Sequence, residues 1–252
     1  MKGGGRLGKL DLKLKLDDRD EYHRSVDSYE LRLLGLERAL AESKRSVMID
    51  FEGWEASGRG ECIKRLTERL DPRGYVAYDG GGIATDEERG HMWLWRYAVK
   101  TPKRGQLVIF HRGWYTRVLD DRVEQRIGHA EARRSFDEIN EFEKMQSDDG
   151  CIVVKLWLHI SKKEQKRRFE HFERDPAQSW KVNADDWQEQ RRYEKYQSAA
   201  EEMISRTDTP YAPWLLVECE DDRYGRVRVM QLVAERLEAE LQPPAKKKGG
   251  RK

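Results

Sequence analysis

Ser46-Val47-Met48-Ile49-Asp50-Phe51-Glu52-Gly53-Trp54-Glu55-Ala56-Ser57-Gly58-Arg59-Gly60 is the stretch on which the fold turns. Residues 46–51 are short, apolar and partly β-branched, the signature of a buried strand. Small residues follow, and then Ile63, Leu66 and Leu70 recur at helical spacing until Asp71-Pro72-Arg73-Gly74 stops the helix. In such a strand–loop–helix unit successive backbone N–H groups point inward, and the helix N-terminus adds partial positive charge. Gly53 and Gly58 have the spacing of a Walker A loop, G-x-x-x-x-G-K-[ST], but Arg59 replaces the Lys and Gly60 the Ser/Thr. Two glycines so spaced also suit a plain turn between strand and helix.

Outward from this segment the alternation continues. Upstream, Val26, Tyr29, Leu33, Leu36 and Leu40 mark a long amphipathic helix over about 21–44. Downstream, strands are expected at Tyr75–Tyr78, Leu107–Phe110, Cys151–Leu158 and Trp214–Val217. Thr85-Asp86-Glu87-Glu88 and Ser161-Lys162-Lys163-Glu164 have the form of capping boxes. The first should open a helix holding Met92, Trp95 and Arg96, the second a basic helix to about Arg174. Further helices are expected around Phe136–Phe142, over about Asp185–Arg206 and from Val227 to Leu241. Five apolar strands alternating with helices predict an α/β fold, a mostly parallel sheet with helices on both faces. No internal repeat or linker interrupts 10–241, which reads as one domain.

The chain has 252 residues with 49 Lys+Arg against 47 Asp+Glu, yet its charge is uneven. Five positive charges lie in residues 245–252 and three in residues 1–9; removing these eight leaves 41 basic against 47 acidic residues. The basic character therefore comes from the ends, expected as a flexible arm (1–9) and a disordered tail (242–252). Overall charge is thus no argument for nucleic-acid binding. Trp93, Trp95, Trp157 and Trp214 fall inside apolar patterns rather than on a stacking platform, so nucleic acid is an unlikely partner. No run approaches a membrane span and no secretory leader is visible. Cys62, Cys151 and Cys219 are far apart and odd in number, which favours a reducing, cytoplasmic setting.

Two further features bear on chemistry. The third strand runs into His111-Arg112-Gly113-Trp114-Tyr115. A nucleoside-triphosphate fold usually presents an Asp to magnesium there; His111 is a softer ligand, and an ordinary strand-end histidine is the competing reading. The basic stretch Lys162, Lys163, Lys166, Arg167, Arg168 and Arg174 is interspersed with Glu164, Glu170 and Glu173, so i,i+4 pairing on a solvated face explains part of it. The run Lys166-Arg167-Arg168 also suits a polyanion, because guanidinium forks bind phosphate oxygens in pairs.

Taken in order, these features resemble the polyphosphate kinase 2 family, over roughly Leu10 to Leu241. The resemblance is carried by Lys9-Leu10-Asp11-Leu12, Phe51-Glu52-Gly53, Ala56-Ser57-Gly58, Ile63-Lys64-Arg65-Leu66 and Leu70-Asp71-Pro72-Arg73-Gly74. It continues through Trp95-Arg96-Tyr97, Arg112-Gly113-Trp114-Tyr115, Asp148-Asp149-Gly150, Arg167-Arg168-Phe169, Asp175-Pro176, Trp180-Lys181 and Arg206-Thr207-Asp208-Thr209-Pro210 with Ala212-Pro213-Trp214. The aromatic flanks are most similar to the polyphosphate:AMP phosphotransferase branch, which often fuses two such domains.

The resemblance implies a P-loop kinase-like α/β/α domain with a helical lid. Its implied activity is phosphoryl transfer between inorganic polyphosphate and a nucleotide (AMP, ADP or ATP), with Mg²⁺ or Mn²⁺ as cofactor and a homo-oligomeric state. It places Glu55, Arg59 and Arg112 in catalysis, and Glu55 and His111 at the positions of the two metal carboxylates. Gly53, Gly58, Gly60 and Arg117 would hold phosphate, Arg96 would lie on the nucleotide side, and Arg167, Arg168 and Lys181 would belong to the lid. Arg59 for Lys and His111 for Asp depart from the family pattern. An active kinase with an altered metal site and a weakened homologue that binds polyphosphate or nucleotide, or partners an active subunit, are the two expectations.

Overall fold

Ser46–Gly53 (β1), buried along its whole length, is the central strand of the computed structural model, which describes residues 5–241. Before it runs the helix Arg19–Glu42 (α1), capped by Asp18, whose side chain accepts from the Asp20 and Glu21 amides. After it come Arg59–Thr67 (α2), Tyr75–Asp79 (β2), Asp86–Arg89 (α3), Trp95–Ala98 (α4) and Leu107–His111 (β3). Asp120–Val123 (α5), His129–Asp148 (α6), Cys151–His159 (β4), Lys162–Arg174 (α7) and Ala184–Arg191 (α8) follow. Tyr193–Thr207 (α9), Trp214–Glu218 (β5) and Asp222–Leu241 (α10) complete the chain as described.

The sheet order is β2-β3-β1-β4-β5 and every pairing is parallel, so successive strands are joined by crossovers. Alternation along β1 separates the two faces. Ile49 packs with Leu33, Leu40, Leu66 and Leu237 of α1, α2 and α10. Its neighbour Asp50 points to the opposite side, where Lys155 of β4 pairs with Glu143 of α6. The result is the expected three-layer α/β/α architecture. Both central strands, β1 and β4, are buried throughout, as parallel strands covered on two faces must be. The three cysteines are buried free thiols. Among the described residues no helix is long and apolar enough to cross a membrane.

Four local expectations need correction. The helix expected from Thr85 through Arg96 is two short turns: Thr85 and Glu88 form their reciprocal box, but the Gly90 amide closes back on Asp86, Glu87 and Glu88 and ends α3. The 185–206 helix breaks at Arg192, whose guanidinium is tied to Glu124, while Tyr193 stacks on Trp54 at 3.9 Å. At Ser161 only half a box forms: Ser161 Oγ accepts from the Glu164 amide, but the Glu164 carboxylate turns to Arg167 and Arg168, and Glu220 takes the Ser161 amide. Finally, residues 5–9 dock rather than swing free. Leu7 is buried, and Glu201 accepts from the amides of Arg6 and Leu7. The expected tail at 242–252 and residues 1–4 lie outside the described residues.

Candidate active site at the phosphate loop

The loop between β1 and α2 needs glycine at both ends. Gly53 has φ +142°, and a Cβ there would lie 2.4 Å from the Leu158 carbonyl oxygen. Gly58 has φ +92° and caps α2 with no side chain in the way. Between them Ala56 takes φ +60°, the left-handed region that a non-glycine residue enters at a cost. Gly60 is the second residue of α2, with open space where its Cβ would be. The loop so formed exposes the helix N-terminus, an anion-receptive end.

Arg59 is buried and folds back over this loop. Its Nη1 donates to the Gly53 carbonyl at 2.7 Å and its Nη2 to Glu55 Oε1. Arg112, held with φ +66° at the end of β3, reaches the same Glu55 oxygen at 3.0 Å and also binds Asp120. One carboxylate oxygen thus bridges two guanidiniums. Burial alone would raise the Glu55 pKa, but Arg59 and Arg112 outweigh it and hold the carboxyl down to about 2. His111 lies half-buried, Nδ1 3.5 Å from Asp79 Oδ1. Burial and the nearby Arg59 push its pKa down, so the imidazole is neutral near pH 7.

From Arg112 an open groove of about 1130 Å³ extends past Trp93, Arg96 and Arg117. Arg96 donates to the Gly81 and Gly82 carbonyls and lies 3.3 Å from Glu88. Arg117 pairs with Glu131 and Asp121 and lies over the Trp93 ring. Trp93 and Trp95 are only half-buried here, the latter stacked on His91, whereas Trp157 and Trp214 are core residues as expected. On the far side of the loop, α7 divides the basic residues into two sets. Arg167 is exposed and forks onto Glu164. Arg168 is buried, bound to Glu164, Asp222 and the carbonyls of Ala56, Cys219 and Glu220. Lys181 packs on Phe172 and Trp180 and reaches Glu61 in the first turn of α2.

The structure therefore gathers Gly53, Glu55, Gly58, Arg59, Gly60, Arg112 and His111 around one loop, and lines the adjoining groove with Arg96 and Arg117. Arg167 and Lys181 stand on the α7 side, and Arg168 lies beneath the loop. Sequence reasoning misses the acids that fill out the site: Glu52, Asp120 and Glu189. Burial raises the Glu52 pKa to about 7 and that of Glu189 to about 8. Glu52 accepts from the Gly113 amide, fixing the turn after β3. Its signal in the sequence is an acid inside an apolar strand.

The metal ligands implied by the resemblance fit poorly. Mg²⁺ asks for a tight octahedron of hard oxygens. Glu55 already has one oxygen shared between Arg59 and Arg112, and His111 offers a nitrogen. Among the described residues no group of three or more His, Cys, Asp or Glu is placed to hold a metal ion.

The family model for polyphosphate kinase 2 matches residues 16–245. This chain belongs to the polyphosphate kinase 2 family. It is 40% identical over 235 residues to a polyphosphate:AMP phosphotransferase of Pseudomonas aeruginosa, covering 93% of this chain and 47% of that protein. A polyphosphate kinase 2 crystal structure from the same species superposes with a TM-score of 0.89 at 39% identity, over 92% of this chain and 50% of the other. That of Arthrobacter aurescens superposes equally well at 28% identity, over 98% and 90%. The chain thus spans about half the length of the first curated relatives it matches.

Proposed function

We propose that this domain transfers a phosphoryl group between inorganic polyphosphate and a nucleoside mono- or diphosphate. The observation that carries the reading is the meeting of Arg59 and Arg112 on one oxygen at the mouth of the phosphate loop. Two guanidinium forks converging on a single oxygen are arranged for a shared phosphoryl oxygen, which would displace Glu55. Phosphoryl transfer asks the protein for in-line positioning and charge neutralisation more than for covalent chemistry. Here the loop amides and Arg59 would hold one phosphate. Arg112 would span the point where phosphate loop and groove meet, and Arg117 and Arg96 would orient the acceptor along the groove. The relatives named polyphosphate:AMP phosphotransferase and NDP-polyphosphate phosphotransferase support this substrate class.

The misfit of Glu55 and His111 to magnesium favours a second reading, in which the domain binds polyphosphate or nucleotide with little turnover or serves an active partner subunit. The assay that separates them uses the purified chain with long-chain polyphosphate, Mg²⁺ or Mn²⁺, and AMP or ADP, resolving nucleotide products by chromatography. Product that depends on polyphosphate supports the first reading. Saturable polyphosphate binding without product supports the second, and neither binding nor product defeats both.

A further inference from the structure

Helix α7 has a buried face that does something its basic outer face conceals. Gln165 and Arg168 are 2% and 5% exposed, and both point at the phosphate loop. Gln165 Nε2 donates to the Glu55 carbonyl at 3.2 Å, and Arg168 Nη1 to the Ala56 carbonyl at 2.9 Å. These are consecutive loop residues, and Ala56 is the one in the left-handed conformation. The rest of the Arg168 fork anchors the clamp: Nη2 reaches the Cys219 and Glu220 carbonyls, and Nη1 lies 3.0 Å from Asp222 at the start of α10. Glu164 holds Nε and at the same time accepts the exposed Arg167.

We propose that Gln165 and Arg168 are positioning residues of the phosphate loop, holding Ala56 in its left-handed turn so that the loop amides converge on phosphate. Arg168 then acts through the backbone and touches no substrate, unlike Arg167 one residue earlier. Because Glu164 bonds to both arginines, a polyanion that captures Arg167 also changes the load on the clamp. This inference deepens the reading of the loop as a phosphate site and rests on it for its ligand. Its structural half stands without one.

The physical reason is a local balance. An alanine at φ +60° loses stability against its ordinary conformations, and glycine does not. Two side-chain donors on adjacent carbonyls offset that loss. Without them Ala56 relaxes and the loop amides lose their common focus, so affinity for a bound phosphate falls.

The test compares the full chain with Arg168→Gln, Ala56→Gly and the double variant, titrated with inorganic tripolyphosphate at low salt, with Gln165→Met as a milder variant. Amide hydrogen exchange of residues 54–58 is followed on the same proteins without ligand. Expected are a roughly tenfold loss of affinity and faster loop exchange in Arg168→Gln. Ala56→Gly alone sets the reference affinity for the double variant. In the double variant affinity should recover about fivefold, the equivalent of ~1 kcal/mol at 1.4 kcal/mol per decade. If Ala56→Gly rescues nothing and the salt dependence flattens, Arg168 contacts phosphate directly and the proposal falls. If Arg168→Gln alters melting temperature but neither affinity nor loop exchange, the residue is packing alone and the proposal falls as well. Should the wild type not bind tripolyphosphate, the functional reading fails, while loop exchange in Arg168→Gln and Gln165→Met still decides the clamp. Should Arg168→Gln not fold, Gln165→Met carries both measurements.

Discussion

Replacing Asp50 should stabilise this protein, and by an amount that depends on pH. Asp50 lies in β1, fully buried, and among the described residues neither carboxylate oxygen has a hydrogen-bond partner. Lys155 stands directly across from it in the β1–β4 register, so a salt bridge is the first expectation. The ammonium has three donors, however, and all are spent: on Glu143 at 2.8 Å, on the Tyr115 hydroxyl at 2.9 Å and on the Thr207 carbonyl at 2.6 Å. Burial, then Glu52 and Glu143, push the Asp50 pKa well above its ordinary 3.8. The folded state thus favours the protonated acid. This contribution is fully present below 3.8 and is lost as pH rises towards the raised value. The penalty has a ceiling, because the group can always fold protonated. At pH 7 that ceiling is on the order of a few kcal/mol. Asp50→Asn removes the charge at constant shape but leaves an amide to satisfy, so about 1–3 kcal/mol should be recovered. For a chain of this size that is a rise in Tm of roughly 3–10 °C. Urea or thermal unfolding at about pH 4.5 and 7.5 measures it, and the gain should be larger at the higher pH. Equal gains at both would mean that folding does not raise the Asp50 pKa, and a loss would mean that Asp50 is an ionised partner of Lys155 and that the spent-donor argument is wrong.

Other outcomes follow from the site itself. His111→Asp should raise polyphosphate-dependent nucleotide phosphorylation by on the order of 10²-fold, and Glu55→Asp beside it further, because a hard oxygen ligand returns to the end of β3; a wild type that is already fast and is slowed by the change would show that His111 is used directly. Arg167→Glu should weaken polyphosphate binding and flatten its salt dependence at unchanged Tm, since this guanidinium is 65% exposed and, among the described residues, bonded only to Glu164; unchanged affinity would reduce the outer face of α7 to a solvated surface. Burial lifts Glu52 to about 7 and Glu189 to about 8, above their ordinary 4.5, so their contribution is intact below 4.5 and is lost as pH rises through those values. The chain should therefore unfold more easily near pH 9 than near pH 6, and Glu189→Gln should flatten that slope; a steeper slope would contradict it.

The sheet is legible in the sequence because its signals are local. Five apolar runs bounded by Gly, Pro and Asp lie where the strands are, and parallel order follows from the helices between them. The phosphate loop is legible for the same reason, two glycines and a following helical period. What depends on distant partners is not. At the break, the Arg192 guanidinium is tied to Glu124, 68 positions away. The orphaning of Asp50 depends on Lys155 being spent on groups up to 52 positions away. Arg167 and Arg168 look alike in a basic run, yet one faces solvent and the other binds three carbonyls. Helical phase separates neighbours by about 100°, and only the fold says which of them meets the loop.

The two departures from the family pattern act in different currencies. Arg59 keeps the charge expected of the loop lysine, but its fork makes two directed bonds, to the Gly53 carbonyl and to Glu55, where an ammonium is a point charge. His111 is neutral, so it removes a negative charge from the end of β3 and leaves the surrounding arginines stronger towards any polyanion. On the proposed reading, the loss of that negative charge would strengthen the hold on phosphate before and during transfer alike. Interactions that are equal in ground and transition states tighten binding and leave the chemical step where it was. A kinase altered in this way gains affinity for polyphosphate without gaining turnover. Turnover and affinity must therefore be measured on the same preparation, with Arg59→Lys varied apart from His111→Asp. Restoring the lysine tests the loop's geometry, whereas restoring the acid tests its charge. Only the acid should trade affinity for rate.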